Sequence, residues 1–267
     1  MVTQDAAAPD PAALASGADL PAAWQGYMAH AYTMTGLVLV LVATHLVLAD
    51  RFALAIIALV LCVVIDATDG VLARRMRVTE TAALIDGRRL DDIIDYLSFV
   101  FVPLLLAVRA ELLLEPALVV VAIVLLSSVI GFSRVDAKQS AEGFFLGFPS
   151  YWNVVIGYLW LFDTPRTFNT VLLVVLAVLV LLPVRFLYPT HLPLRADRRR
   201  HYLLGAIWGS VCVIALLLPM GGPAQLAVAI VSLAYPAYYV CASVRSDVAA
   251  RRATRRAVVS NRLSSRH

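Results

Sequence analysis

The sequence predicts an all-α integral membrane protein of about eight transmembrane helices with both termini in the cytoplasm. Three observations carry that reading: an apolar composition, a succession of long apolar runs, and the placement of the basic residues. Of 267 residues 61% are hydrophobic and 15% charged, and the mean hydropathy is +0.83. Soluble domains are about 45–50% apolar and about 25% charged, so a soluble globular fold is excluded. The three cysteines, Cys62, Cys212 and Cys241, all lie in apolar runs and form neither a disulfide framework nor a thiolate metal set. They are expected to pack as small hydrophobes.

The apolar runs fall at 31–49, 52–73, 92–108, 112–132, 150–163, 168–187, 202–219 and 224–243. Crossing a bilayer takes roughly 18 to 20 residues; the 150–163 run is short and is expected to begin inside the preceding loop. Each run is bounded by residues that stop or solvate a helix. Asp50 and Arg51 close the first, Arg74 and Arg75 the second, and Gly221, Gly222 and Pro223 precede the last. Residues 1–27, rich in Ala, Pro and Asp and without Lys or Arg, read as an N-terminal cytoplasmic tail that lacks the basic flank of a secretory signal peptide. Residues 28–245 form the membrane domain, and 246–267 a basic C-terminal cytoplasmic tail.

Charge placement sets the orientation, because short cytoplasmic loops collect Lys and Arg. With the N-terminus inside, 19 of the 22 basic residues lie in cytoplasmic segments, and only Arg51, Arg109 and Arg166 fall outside. Removing one helix would send the basic tail outward. The net charge of +4 is therefore assigned to anionic lipid headgroups rather than to nucleic acid.

Seven of the 18 acidic residues fall between positions 66 and 95, a window that straddles the ends of two apolar helices. Each carboxylate at membrane depth costs about 3 kcal/mol on insertion scales, so this cluster needs a compensating partner. Asp66 and Asp69, with Gly70 and Ala73 after them, share one helix face, and Arg74 stands at its end. On the next helix Gly87, Asp91 and Asp95 recur every four residues, while Asp92 faces away from that stripe. Two such rows on helices about 8–10 Å apart can share hard cations. Oxygen-only ligands indicate Mg²⁺ or Mn²⁺. The small residues leave room for a ligand against the backbone, and Arg74 offers a fork for phosphate oxygens. A buried ion-pair network using Arg74, Arg75, Arg88 and Arg89 is the alternative, but it has no need of the Gly and Ala positions.

Asp66-x-x-Asp69-Gly70-x-x-Ala73-Arg74, twelve intervening residues, then Gly87-x-x-x-Asp91-x-x-x-Asp95 resembles the signature of the CDP-alcohol phosphotransferase family. The resemblance implies that Asp66, Asp69, Asp91 and Asp95 hold a pair of divalent ions and that Asp91 and Asp95 are catalytic, with Asp95 the general base. Asp66, Gly70, Ala73 and Arg74 would contact the CDP moiety. It also implies attack by an alcohol on a CDP-linked lipid, with release of CMP, and a homodimer at the bacterial inner membrane with its active site facing the cytoplasm.

The interval between Arg74 and Gly87 is longer than the family usually has, and in this the chain is similar to bacterial members whose acceptor is choline. The stretches Asp95–Pro103 and Asp136–Asn153 resemble the same members. The implied substrates are CDP-diacylglycerol and choline, and the products CMP and phosphatidylcholine. A quaternary ammonium has no donor and is held by aromatic faces and a carboxylate. The candidates are Tyr96, Phe148, Tyr151, Trp152 and Glu142, against the alternative that they are belt aromatics at a helix end. Arg134 and Lys138 are candidates for the lipid or CDP phosphates; in a serine or phosphorylated-acceptor enzyme they would bind the acceptor instead. A cation- or proton-coupled transporter also places acids in the membrane, but typically at midplane breaks. A non-catalytic membrane scaffold is the third reading, under which Asp95→Asn would leave the phenotype unchanged.

Overall fold

A computed structural model describes residues 23–82, 84–134, 138–139, 143–189, 192 and 194–264, with the side chains of Ala23, Lys138, Gln139 and 252–264 outside that description. Its first unit is a helical hairpin, α1 (Ala23–Leu48) and α2 (Phe52–Arg75). Asp50 in the connecting turn takes φ +57°, a conformation that Asp tolerates better than most side chains. Small buried residues, Ala43 on one side and Ala55 and Ala58 on the other, let the two helices pack along their length.

A single turn, α3 (Val78–Thr81), packs back on α1 before α4 (Gly87–Asp95) begins. Asp86 caps α4, its carboxylate accepting the Arg88 and Arg89 backbone N–H groups at 3.1 and 3.2 Å. The helix continues through a π-helical segment, Tyr96–Phe101, into α5 (Val102–Arg109). Pro103 falls in the first turn of α5, where a proline is tolerated, while the Val102 N–H before it still donates to the Leu97 carbonyl across the wider turn.

The remaining elements are α6 (Ala117–Ser133), the short strands β1 (Lys138–Gln139) and β2 (Phe144–Leu146), α7 (Trp152–Leu161), α8 (Arg166–Leu181), β3 (Arg185–Leu187), α9 (Arg195–Leu217), α10 (Pro223–Ser232) and α11 (Ala234–Ser264). Every predicted apolar run holds a helix. Among the described residues four helical segments are long and apolar enough to cross a membrane: Trp24–Leu48, Phe52–Arg75, Arg195–Leu217 and Pro223–Arg251, the last running through α10 into α11. Ala117–Ser133, Trp152–Leu161 and Arg166–Leu181 are shorter apolar helices.

The expected helical architecture holds, with one small sheet added to it. The three strands form an antiparallel sheet in the order β1-β2-β3, with Lys138 opposite Phe145 and Phe144 opposite Leu187. Positive φ at Gly143 and Gly147 bends the chain at either end of β2. The run read as a helix over 168–187 stops at Leu181, since Leu182 precedes a proline and is driven to an extended ψ of 145°. Its last residues become β3. In the same way Pro236 cannot donate to Ser232, and α10 and α11 part near that point.

The core runs through Leu59, Val100, Leu104, Val124, Trp152, Ile156 and Leu173, all nearly inaccessible. Leucines on the outer faces, such as Leu41 and Leu118 at 70% and 71% exposure, suit lipid tails rather than water. Cys62 and Cys212 are buried as expected, but Cys241 faces outward. At one end the connecting loops are tied together: Arg109 pairs with Asp50 at 2.9 Å, Arg166 with Glu111 at 2.6 Å, and Asn169 Nδ2 donates to the Leu112 carbonyl at 2.9 Å. The acidic residues of α2 and α4 lie toward the opposite ends of these helices.

Candidate active site

The acids are assembled by two helices whose stripes converge. Asp66 on α2 and Asp91 and Asp95 on α4 each offer a carboxylate oxygen, and these oxygens all lie within 4.8 Å of one another. All three residues are half-buried. Two oxygens on one Mg²⁺, each at about 2.1 Å, are at most about 4.2 Å apart. The observed spread is therefore a small side-chain adjustment from a divalent site, and among the described residues the cluster consists of carboxylates alone. The donor set fits a hard cation.

Asp69 lies outside that set of three. It is buried, and it accepts a hydrogen bond from Thr33 Oγ1 of α1 at 3.0 Å. Its carboxyl also reaches Asp91, which links it to the edge of the cluster. A hydroxyl donor from α1 thus fixes one acid of the stripe and leaves its other oxygen for the centre.

The small residues of the signature each have a visible use. A Cβ on Gly70 would come within 3.3 Å of Arg74 Nη1, so the guanidinium folds back over the glycine and roofs the open face of α2. Ala73 packs beside the buried trio Ala29, Val78 and Ala82. A Cβ on Gly87 would stand 2.9 Å from His30 Cε1, so this glycine lets α4 approach α1 closely enough to bring Asp91 to Asp66. His30 is itself buried, with Nε2 lacking a hydrogen-bond partner among the described residues.

The aromatic candidates separate into two groups. Trp152 is fully enclosed and donates its indole N–H to Ser128 Oγ at 2.8 Å, and Phe148 packs edge-on against it at 5.2 Å. Tyr96 turns to α6, its hydroxyl donating to the Leu125 carbonyl at 3.1 Å and its ring meeting Phe132. These three are held by packing. Tyr151 is different: its ring sits 6.0 Å from Phe99 and 6.1 Å from Tyr239, and its hydroxyl feels the charge of Asp66. Glu142 lies outside the described residues, and Lys138 is described only in its backbone, as a partner of Phe145 in the sheet. Arg134 ends α6 in an extended conformation and is half-buried.

Sequence reasoning missed the supports that come from afar. Thr33 is one hydroxyl in an apolar run, and nothing near it in sequence announces an acid. Tyr235 and Tyr239 on α11, near Tyr151, and Tyr202 on α9, within the charge field of Asp66, Asp69 and Arg74, are also drawn in only by the fold.

Membrane-length helices carrying converging carboxylates that could hold a divalent ion, with an arginine folded over a glycine beside them, define a helical membrane protein with a candidate metal centre. The family model described as CDP-alcohol phosphatidyltransferase matches residues 27–192, and the chain belongs to that family. Among curated relatives, a phosphatidylcholine synthase of Legionella bozemanae is 37% identical over 139 residues, which cover 51% of this chain and 64% of that one. The protein of the same name in Legionella pneumophila is 33% identical over 180 residues, 67% of this chain and 69% of that one. The Pseudomonas aeruginosa phosphatidylcholine synthase is 37% identical over 161 residues, 60% and 67% of the two chains. The matched segments thus span about two thirds of each relative.

Proposed function

We propose that this protein transfers the phosphatidyl group of CDP-diacylglycerol to choline, releasing CMP and leaving phosphatidylcholine in a bacterial inner membrane. The observation that carries the reading is the convergence of Asp66, Asp91 and Asp95 to within 4.8 Å beside Arg74. Similarity to phosphatidylcholine synthases supports choline as the acceptor.

Asp66, Asp69, Asp91 and Asp95 would hold Mg²⁺ or Mn²⁺, as a pair of ions, and those ions supply neutralisation of the diphosphate and of the phosphate that leaves. Arg74, lying across Gly70, binds phosphate oxygens of the nucleotide in a forked contact. Gly70 and Ala73 leave the cytidine side of the substrate against the helix backbone. The Asp95 carboxylate takes the proton of the choline hydroxyl as its oxygen attacks the phosphorus that bears diacylglycerol. The new P–O bond forms there, the P–O bond to CMP breaks, and CMP departs with that electron pair. Tyr151, with Phe99 and Tyr239 around it, offers the ring faces that a quaternary ammonium requires. Glu142 would add the carboxylate, and Arg134 and Lys138 would meet the lipid or CDP phosphates.

The arrangement in the membrane is part of the proposal: eight spans, both termini and the acids cytoplasmic, a membrane domain over 28–245 between a tail at 1–27 and a basic tail at 246–267, and a homodimer. The pairing of Asp50 with Arg109 and of Glu111 with Arg166 supports it, because it gathers at one end three of the four loops that should lie outside.

Purified protein supplied with CDP-diacylglycerol and Mn²⁺ should release CMP with choline, and not with L-serine, glycerol phosphate or inositol phosphate. Release with L-serine alone would replace the acceptor. Transport of a solute by proteoliposomes without any CMP release would overturn the enzymatic reading.

A further inference from the structure

The geometry assigns Tyr202, together with Arg198, to the diphosphate of the CDP-linked substrate, from a helix outside the segment that defines the family. The family match ends at residue 192, and α9 begins at Arg195. Its first turns nevertheless form a wall of the site. α9 packs against α2, and a Cβ on Gly209 would be 3.9 Å from Val60 Cγ1, so the two backbones run close together. Residue 209 lies level with residue 60, and residue 202 lies level with the acids, so the helices are antiparallel. Arg198 and Tyr202, one turn apart, share the face turned to that level.

The Tyr202 hydroxyl is buried and has no hydrogen-bond partner among the described residues. The charges it feels are those of Arg74, Arg198, Asp66 and Asp69. A buried donor left unfilled is costly, and native structures rarely keep one without a use. The hydroxyl is also not loose. His201, the adjacent residue, is buried, shares a 3.3 Å hydrogen bond with the Tyr235 hydroxyl and lies against the Tyr238 ring at 5.6 Å. Those contacts fix the rotation of α9 and keep Tyr202 turned to the acids.

The neighbours select the ligand. With Arg74 and Arg198 among the charges around an unfilled hydroxyl donor, an anionic oxygen is favoured there, and a quaternary ammonium, which offers that donor no acceptor, is not. A diphosphate held beside the metal-binding acids would come within reach of the Tyr202 hydroxyl and of Arg198, one turn before it on α9. This assignment rests on the proposal that the site takes a CDP-linked lipid, but not on choline as the acceptor.

Tyr202→Phe removes one oxygen and keeps the ring. With the full-length protein in detergent and Mn²⁺ present, the Kd for CDP-diacylglycerol should rise about tenfold, while the choline KM stays within about twofold. Arg198→Gln should raise the same Kd, and the double variant should lose less than the product of the two factors, as residues sharing one ligand do. Thermal stability of Tyr202→Phe should equal or exceed that of the parent, since an unfilled donor is removed. An unchanged Kd for the CDP-lipid, a rise confined to the choline KM, or a lowered Tm with unaltered binding would each overturn the assignment. Weakened CDP-lipid binding in Tyr202→Phe, in a protein that releases no CMP with choline, would sustain it and refute the acceptor.

Discussion

Gly87→Ala is the substitution whose effect can be worked most directly from the coordinates. The added methyl would stand 2.9 Å from His30 Cε1 and 3.5 Å from His30 Nδ1. Carbon atoms in contact rest at about 3.5–4.0 Å, so the two groups must separate by roughly 0.6 Å or more. The imidazole is 4% exposed and has no room to swing, so the displacement falls on α4. Overpacking of this kind costs about 1–3 kcal/mol, against which alanine returns less than about 1 kcal/mol of helix propensity. The larger effect is on the site, because Asp91 lies one turn further along α4 and moves with it. We expect a fall in Tm, and a loss of CMP release of about a hundredfold, of the size produced by misplacing reacting groups by about 1 Å. His30→Ala in the same chain removes the obstacle and should recover at least tenfold of that activity. Full activity in Gly87→Ala, or no recovery in the double variant, would refute the packing argument.

Other outcomes can be checked with the same protein. Thr33→Val keeps the volume but takes away the donor to Asp69, and should weaken Mn²⁺ binding about tenfold, measured by titration calorimetry, with Asp69→Asn giving a comparable loss. Asp95→Asn should abolish most turnover while CDP-lipid binding persists, because a carboxamide cannot take the alcohol proton; equal loss of binding would place Asp95 in substrate retention alone. Chelation by EDTA should stop CMP release, and added Mn²⁺ or Mg²⁺ should restore it. Trp152→Ala should unfold the protein more readily, by about 3–5 kcal/mol, because it empties a fully buried site and strips Ser128 of its indole donor. Tyr151→Ala should raise the choline KM and also lower Tm, since its ring packs on Phe99 and Tyr239.

The helices were legible because the bilayer imposes a length and a composition on them, and the acids because carboxylates in apolar runs are costly enough to be informative. Asp66, Asp91 and Asp95 came together as their spacing implied. What sequence could not yield was contact between distant segments. Thr33 reaches Asp69 across 36 positions, and Tyr202 approaches it across still more. Periodicity reads one helix at a time and is blind to such pairs. The aromatic loop misled for a related reason: Trp152 and Tyr151 are neighbours in sequence with the same character, yet the start of α7 seats one in the core against Ser128 and the other between Phe99 and Tyr239. The sheet escaped notice because β3 was the tail of an apolar run, and only Leu182, Pro183 and Val184 separate it from α8.

The π-helical segment directly after Asp95 bears on how this chain can diverge. Such a turn is the trace of one extra residue in a helix. Each residue turns an α-helix by about 100°, so the extra one sets the angle between the acid stripe upstream and the core-filling Leu104 and Leu106 downstream. Substitutions within 96–101 alter packing locally, whereas an insertion or deletion of one position rotates one half of the helix against the other. Relatives that keep the chemistry should therefore vary in residue type across this stretch and hold its length constant, and a single-residue gap there would mark a chain whose acids no longer meet.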